Sequence, residues 1–274
     1  MLRKKQLIII LTIIIIYSCH SNSKSDETNI SKSIPTVPLI NYSVAHYYPH
    51  DTTLFTEGFL FHNGQLFEST GSPDDIPQSK SMIGITNLTT GKFEKKIELD
   101  KTKYFGEGIV LLGNKLYQLT YKNQKGFIYN AESFERTGQF KYSNLEGWSL
   151  TTDGKNIIMS DGTNNLTFIN PSNLKPTKIL SITENGIPQD NLNELEYING
   201  FIYANVWMSN FIVKINPTNG TVVGKLDLSS LTFEARNKNP RADVLNGIAY
   251  DSITNKIYVT GKMWANIYQI DFTH

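Results

Sequence analysis

Cysteine is almost absent: the 274 residues contain one, Cys19. No disulfide can form within the chain, so stability must come from packing. An excess of either charge is also missing. Lys and Arg number 26 against 25 Asp and Glu, a formal net charge of +1 with both signs interspersed, and no basic block marks a nucleic-acid surface. The five histidines, at positions 20, 46, 50, 62 and 274, show no metal-ligand spacing, which argues against a zinc hydrolase. His50-Asp51 is read as a turn ahead of the first motif described below. Phosphate loops, dinucleotide fingerprints and G-x-S-x-G are missing too. No stretch carries helical periodicity over several turns; residues 231–237 are read as one short helix.

What is present begins with a targeting segment. Arg3, Lys4 and Lys5 precede an aliphatic run from Leu7 to Ile16. That run is shorter than the ~20 apolar residues a spanning helix needs, and a charged start with a short apolar core is a secretory signal. The run ends in Ile16-Tyr17-Ser18-Cys19, which resembles a bacterial lipobox with cleavage before Cys19 and lipid on its thiol. The alternative is ordinary signal cleavage beside a chance cysteine. Lipidation of Cys19 would remove the chain's only thiol nucleophile. The polar residues that follow cannot bury a core and read as a tether. The expected organisation is a lipoprotein signal peptide over 1–18, a flexible tether over 19–40 and one domain over 41–274, exported and periplasmic or outer-membrane associated, touching the membrane only through its lipid.

The domain is repetitive. Short motifs begin at Glu57, Glu107, Glu146, Asn193 and Asn246, and each runs through a tight turn into a second apolar strand. Asn63-Gly64, Asp153-Gly154 and Asn199-Gly200 occupy three of the turns, and such pairs between alternating apolar residues mark hairpins. The starts are 50, 39, 47 and 53 residues apart, a period that suits a four-stranded propeller blade. Second hairpins fit the intervals, for example around residues 126–130 and 211–221. The fold expected is all-β, a five-bladed propeller. Residues 42–48 have no partner nearby in sequence and are expected to join 266–271 in the last blade, closing the ring and protecting its edges.

The repeat also places candidate chemistry. Its first residues are all carboxylates or amides, and equivalent positions in a propeller surround the central channel. Four of the five are followed by Gly, which permits close backbone approach. At the end of the second strand, fourteen residues on, stand Gly71, Tyr121 and Trp207; the third and fifth hairpins are two residues longer and give Gly162 and Lys262. The aromatics would narrow one side of a cavity mouth, the glycines would leave the other open, and Trp148 would add a wall. The plainer reading is that Glu57, Glu146 and Asn246 cap backbone amides or neutralise one another around a channel ion, and that a strand tryptophan is core. Lys262 is harder to explain so, since an inward lysine must be paired or used.

Eight segments in this order resemble the plant-type glutaminyl-peptide cyclotransferases, a family shared by plants and bacteria. They are Phe55-Thr56-Glu57-Gly58, Phe67-Glu68-Ser69-Thr70-Gly71, Phe105-Gly106-Glu107-Gly108, Glu146-Gly147-Trp148, Leu192-Asn193-Glu194-Leu195-Glu196, Asn205-Val206-Trp207, the segment from Val244 to Asp251, and Thr260-Gly261-Lys262-Met263-Trp264. The resemblance covers essentially all of residues 42–272. The resemblance implies a five-bladed propeller that cyclises N-terminal glutamine to pyroglutamate and releases ammonia. It implies Glu107, Lys262 and Asn193 as catalytic residues, and Trp148 and Trp207 as pocket walls. Tyr121 and Glu57 stand where the family has tryptophan and glutamine; with Asn246 they complete the expected substrate-binding set. A second carboxylate near Glu107 would raise one carboxyl pKa.

No cofactor is implied for the chemistry, no catalytic metal is expected, and a structural calcium in the channel is allowed. The partners expected are peptides or proteins beginning with Gln, with the protein a monomer. Two other functions share these features: an inactive propeller that binds peptides, which Glu57 and Tyr121 favour, and a metal-dependent lactonase, which Lys262 argues against.

Overall fold

Inner strands begin at each repeated motif because the alternation of apolar residues gives each hairpin one face toward each neighbouring blade. A computed structural model describes residues 36–274; the signal peptide, Cys19 and most of the expected tether lie outside the described residues. Five four-stranded antiparallel sheets follow one another around a central axis. Blade 1 comprises Thr56–His62, Gln65–Thr70, Met82–Thr86 and Phe93–Glu98. Blade 2 runs from Gly106–Leu112 to Arg136–Lys141, blade 3 from Ser149–Thr152 to Lys175–Ser181, and blade 4 from Leu192–Ile198 to Val222–Asp227.

Blade 5 takes three strands from the C-terminal end, Leu245–Asp251, Lys256–Gly261 and Asn266–Asp271, and its outermost from Ser43–Pro49. The register pairs Tyr47 with Tyr268 and Ser43 with Asp271. The expected closure is therefore found, and it joins the two ends of the domain in one sheet. Residues 36–40, assigned above to the tether, already lie on the body. Leu39 bridges to Lys225, the Ile40 amide donates to the Lys225 carbonyl at 2.7 Å, and Val37 packs against the blade 3–blade 4 core.

Hydrophobic cores lie between adjacent blades. One joins Ile158, Leu166 and Phe168 to Leu195, Ile202 and Val213; another joins Val110, Tyr117 and Leu119 to Leu150, Ile157 and Met159. Each fully buried side chain of this kind stabilises by ~1.5–3 kcal/mol. The single α-helix among the described residues, Ser229–Lys238, contains the expected 231–237. Asp227 Oδ1 accepts from the Ser229 amide at 3.0 Å just ahead of it, and Leu231 and Ala235 anchor it on the blade 4–blade 5 core.

His50 departs from expectation. Asp51 does shape the turn, accepting from the Thr53 amide at 2.9 Å, but the His50 ring is buried. It places Nε2 3.0 Å from Glu68 Oε1 of blade 1 and Nδ1 2.9 Å from the Trp264 carbonyl of blade 5. Thr56 and Thr86 donate to the same carboxylate at 2.8 and 2.7 Å. A motif-by-motif reading placed His50 outside the repeats, so its role at their junction was invisible.

Candidate active site

The inner strands do not run straight past the axis. Pairing slips between Thr56 and Gly58, between Gly106 and Ile109, between Leu192 and Leu195, and between Leu245 and Ile248. Each slip falls on the first residue of the repeat: Glu57, Glu107, Asn193 and Asn246. A β-bulge leaves its extra residue out of the ladder and re-aims its side chain. In blade 3 Glu146 lies ahead of the strand, in the lead-in.

The following glycines let the bulged backbones meet. A Cβ on Gly58 would lie 2.8 Å from the Ile109 amide nitrogen of the next blade. Serines then fasten neighbouring blades: Ser69 Oγ donates to the Glu107 carbonyl and Ser160 Oγ to the Asn193 carbonyl, both at 2.7 Å.

The second register is fixed by one recurring bond. The amides of Gly71, Tyr121, Trp207 and Lys262 donate to the carbonyls of Phe55, Phe105, Asn191 and Val244 at 2.8, 3.0, 2.8 and 3.0 Å. Each acceptor lies two residues before a bulged residue. The two registers thus converge on one end of the channel, in a cavity of about 710 Å³ lined by Glu57, Glu107, Asn193, Tyr121, Trp148, Trp207 and Lys262.

Its walls are aromatic. Trp148 and Trp207 meet edge to face, centroids 5.5 Å apart at 82°. Tyr121 leans on Phe105 at 5.7 Å, and Phe105 meets Phe55 edge-on at 6.4 Å. The glycine side is not open as expected: the Phe105 ring covers Gly71, and Trp148 occupies the space where a Gly162 Cβ would stand, 2.5 Å from the indole. These glycines make room for rings, and Gly162 also has the positive φ (+81°) that favours glycine.

The floor is charged and buried. Lys262 Nζ lies 2.7 Å from Glu57 Oε1 and 4.5 Å from the Phe55 ring centroid. Burial pushes the Glu57 carboxyl up, and Lys262 partly offsets this. Glu107 is displaced further. Burial raises its pKa well above the ordinary carboxylate range, the charge of Glu57 adds to the rise, and Lys262 opposes both. The Asn193 Oδ1 atom, buried, has no donor within the protein.

Asn246 is the expected site residue that the fold does not bring to the cavity. It is fully buried behind Glu57, where its amide donates to the Thr56 carbonyl at 2.9 Å and approaches Glu57 Oε2 at 3.4 Å. It holds Glu57 in place. Glu146 does line the cavity, accepting from Trp148 Nε1 at 2.9 Å. The structural capping expected of the repeat-start acids falls instead to Glu194, which accepts from the Ile248 and Phe59 amides at 2.8 and 3.2 Å and so ties blade 4 to blades 5 and 1.

Phe55, Phe105, Asn191 and Asp243 also line the cavity and were missed. The first three stand two residues before repeat starts, so extending the register backward would have found them. Asp243 stands three before Asn246, where the repeat carries no signal.

Comparison with known proteins gives the family and the fold. A model of the glutamine cyclotransferase family matches residues 10–272. A glutaminyl-peptide cyclotransferase of Arabidopsis thaliana is 42% identical over 225 residues, 81% of this chain and 68% of the relative. The crystal structure of Myxococcus xanthus glutaminyl cyclase superposes with a TM-score of 0.78 at 34% identity, covering 86% of this chain and 98% of that one.

Proposed function

Because the chain belongs to the glutamine cyclotransferase family, we propose that it converts the N-terminal glutamine of peptides to pyroglutamate, with the cavity at the channel end as its active site. The observation that carries this reading is the buried carboxyl of Glu107, raised in pKa and facing Lys262 and Asn193 inside aromatic walls.

The neutral α-amine attacks the side-chain γ-carbonyl carbon. A carbon–nitrogen bond closes the five-membered ring, the bond to the amide nitrogen breaks, and ammonia leaves. Both reacting groups belong to one residue, so holding the bent conformer supplies much of the acceleration. Trp148, Trp207 and Tyr121 are the surfaces suited to that task. Glu107 takes a proton from the attacking nitrogen and returns one to the leaving nitrogen; a carboxyl pKa moved toward neutrality serves both halves. Lys262 stabilises the charge that grows on the carbonyl oxygen. Asn193 contributes there through its amide N–H groups. Glu57 orients Lys262, a second role for the residue that departs from the family pattern.

For the calcium that the resemblance allows, no group of three or more His, Cys, Asp or Glu converges among the described residues. Lipid attachment at Cys19, a periplasmic or outer-membrane location and a monomeric state belong to the same proposal and rest on the sequence.

Ammonia release from Gln-initiated peptides tests the reading. The wild-type protein releases ammonia, and Glu107→Gln, which keeps shape and removes the proton carrier, lowers kcat by roughly 100-fold or more without shifting Tm. A folded wild-type protein that binds such peptides without releasing ammonia would instead be the peptide-binding module.

A further inference from the structure

Five carboxylates line the cavity, and four are engaged. Glu57 holds Lys262. Glu107 is buried beside the Glu57–Lys262 pair, whose charges act on it in opposite senses. Glu146 accepts from Trp148 and lies 3.5 Å from Lys122 Nζ. Asp161 accepts from Asn144 Nδ2 at 2.8 Å and from the Thr163 amide and hydroxyl at 3.0 and 2.6 Å. Asp243 alone has neither an ion-pair partner nor a side-chain hydrogen bond among the described residues. Its backbone, by contrast, is clamped. The Asp243 amide donates to the Lys262 carbonyl at 2.9 Å, and Trp264 Nε1 donates to the Asp243 carbonyl at 2.9 Å. A half-buried carboxylate is thus held at a fixed place, close enough for its charge to raise the Glu57 carboxyl, with no direct partner of its own among the described residues.

The depth of the lining groups says which part of a peptide would meet it. Asn193, Glu107 and Lys262 form the buried floor, and the partnerless Asn193 Oδ1 there calls for an N–H donor from outside the protein. At the rim Leu145 is 84% exposed. Asp243 lies at intermediate depth. A terminal glutamine seated on the floor leaves the rest of its peptide at the intermediate level of the cavity, where Asp243 is the lining carboxylate without a partner among the described residues. The α-amine itself is a poor partner for this group. It must be neutral to attack, and a free carboxylate beside it would hold it protonated.

Building on the cyclase reading, we propose that Asp243 is a specificity-determining residue that selects peptides with a basic side chain immediately after the glutamine. No bond is made or broken in this role. Its charge both attracts a cationic peptide and pairs with the peptide's lysine or arginine once bound.

The test compares Gln-Lys, Gln-Ala and Gln-Glu peptides of otherwise identical sequence. Affinity is measured by calorimetry on Glu107→Gln protein, so that turnover does not interfere, and kcat/KM is measured on the wild-type background. Gln-Lys should be favoured over Gln-Ala by roughly 3- to 10-fold and Gln-Glu disfavoured, with the ratio shrinking as salt is raised. Adding Asp243→Asn should bring the Gln-Lys to Gln-Ala ratio close to one, and Asp243→Lys should invert the order. Equal affinity of the starting protein for all three peptides overturns the proposal, as does a ratio that survives Asp243→Asn. A uniform loss across the three peptides would assign Asp243 to the amine instead, and also overturns it. If wild-type protein releases no ammonia from any peptide, the cyclase reading fails, and the affinity ratios still decide the role of Asp243.

Discussion

Glu57 is the residue on which the electrostatics of the site turn. Its charge is the second-largest cause, after burial, of the raised pKa of Glu107, and it also occupies Lys262. Replacing it with glutamine removes the repulsion and frees the ammonium to face Glu107. Both changes favour ionised Glu107, so its pKa falls. The acid limb of the kcat/KM profile of Glu57→Gln should therefore lie at lower pH than that of the wild-type protein, which a pH–rate series on a Gln-initiated peptide reads directly. An unmoved limb would mean that another group sets it. The sequence disclosed that these residues share a neighbourhood, because two repeat registers locate them. It could not disclose the pairing, since which of two carboxylates takes Lys262 depends on distances of a few ångströms.

At the level of strands, closure of the ring has its own lock. The buried His50 ring joins blade 5, through the Trp264 carbonyl, to Glu68 of blade 1. Burial alone would lower its pKa, but Glu68, with the Trp264 carbonyl and the charge of Asp51, outweighs this and the net direction is upward. A raised folded-state pKa contributes stability that is fully present below the unfolded value of about 6.5 and is lost as pH rises through the folded value. Thermal unfolding should show His50→Gln less stable than wild type at pH 5.5, with the gap narrowing toward alkaline pH. A gap independent of pH would make the lock one of packing only. The strand Ser43–Pro49 was legible because it lacked a local partner. The bulges were not, because a slip of one residue in pairing leaves no mark in apolar alternation that a Gly does not also leave.

For the whole propeller, the inner strand of blade 4 carries two acids that the chemistry does not use, Glu194 and Glu196. Glu196 accepts from the Tyr250 amide at 2.8 Å. Burial pushes its pKa up to about 8, against the lowering effect of that bond. An acid with a raised folded pKa binds its proton more tightly in the folded state, so stability declines as pH rises from the unfolded value near 4.3 through about 8. Glu196→Gln keeps the acceptor and removes the ionisation. Its Tm should exceed that of wild type at pH 9, by an amount worth ~1–3 kcal/mol, and match it at pH 4. Equal melting at both would show that water reaches Glu196. The overall fold was readable because five copies of one hairpin signal reinforce each other. The roles of the blade 4 acids were not, since Asn193-Glu194-Leu195-Glu196 offers three polar residues, and only the bulge decides which of them faces the cavity.

That bulge has a further meaning. A residue lifted out of the ladder gives the sheet no reason to prefer one side chain over another, so four nearly identical hairpins can display Glu, Glu, Asn and Asn at one position. The propeller works as a set of sockets, uniform in construction and indifferent to what is plugged in. Its chemistry can be rewritten one blade at a time while the frame is inherited unchanged.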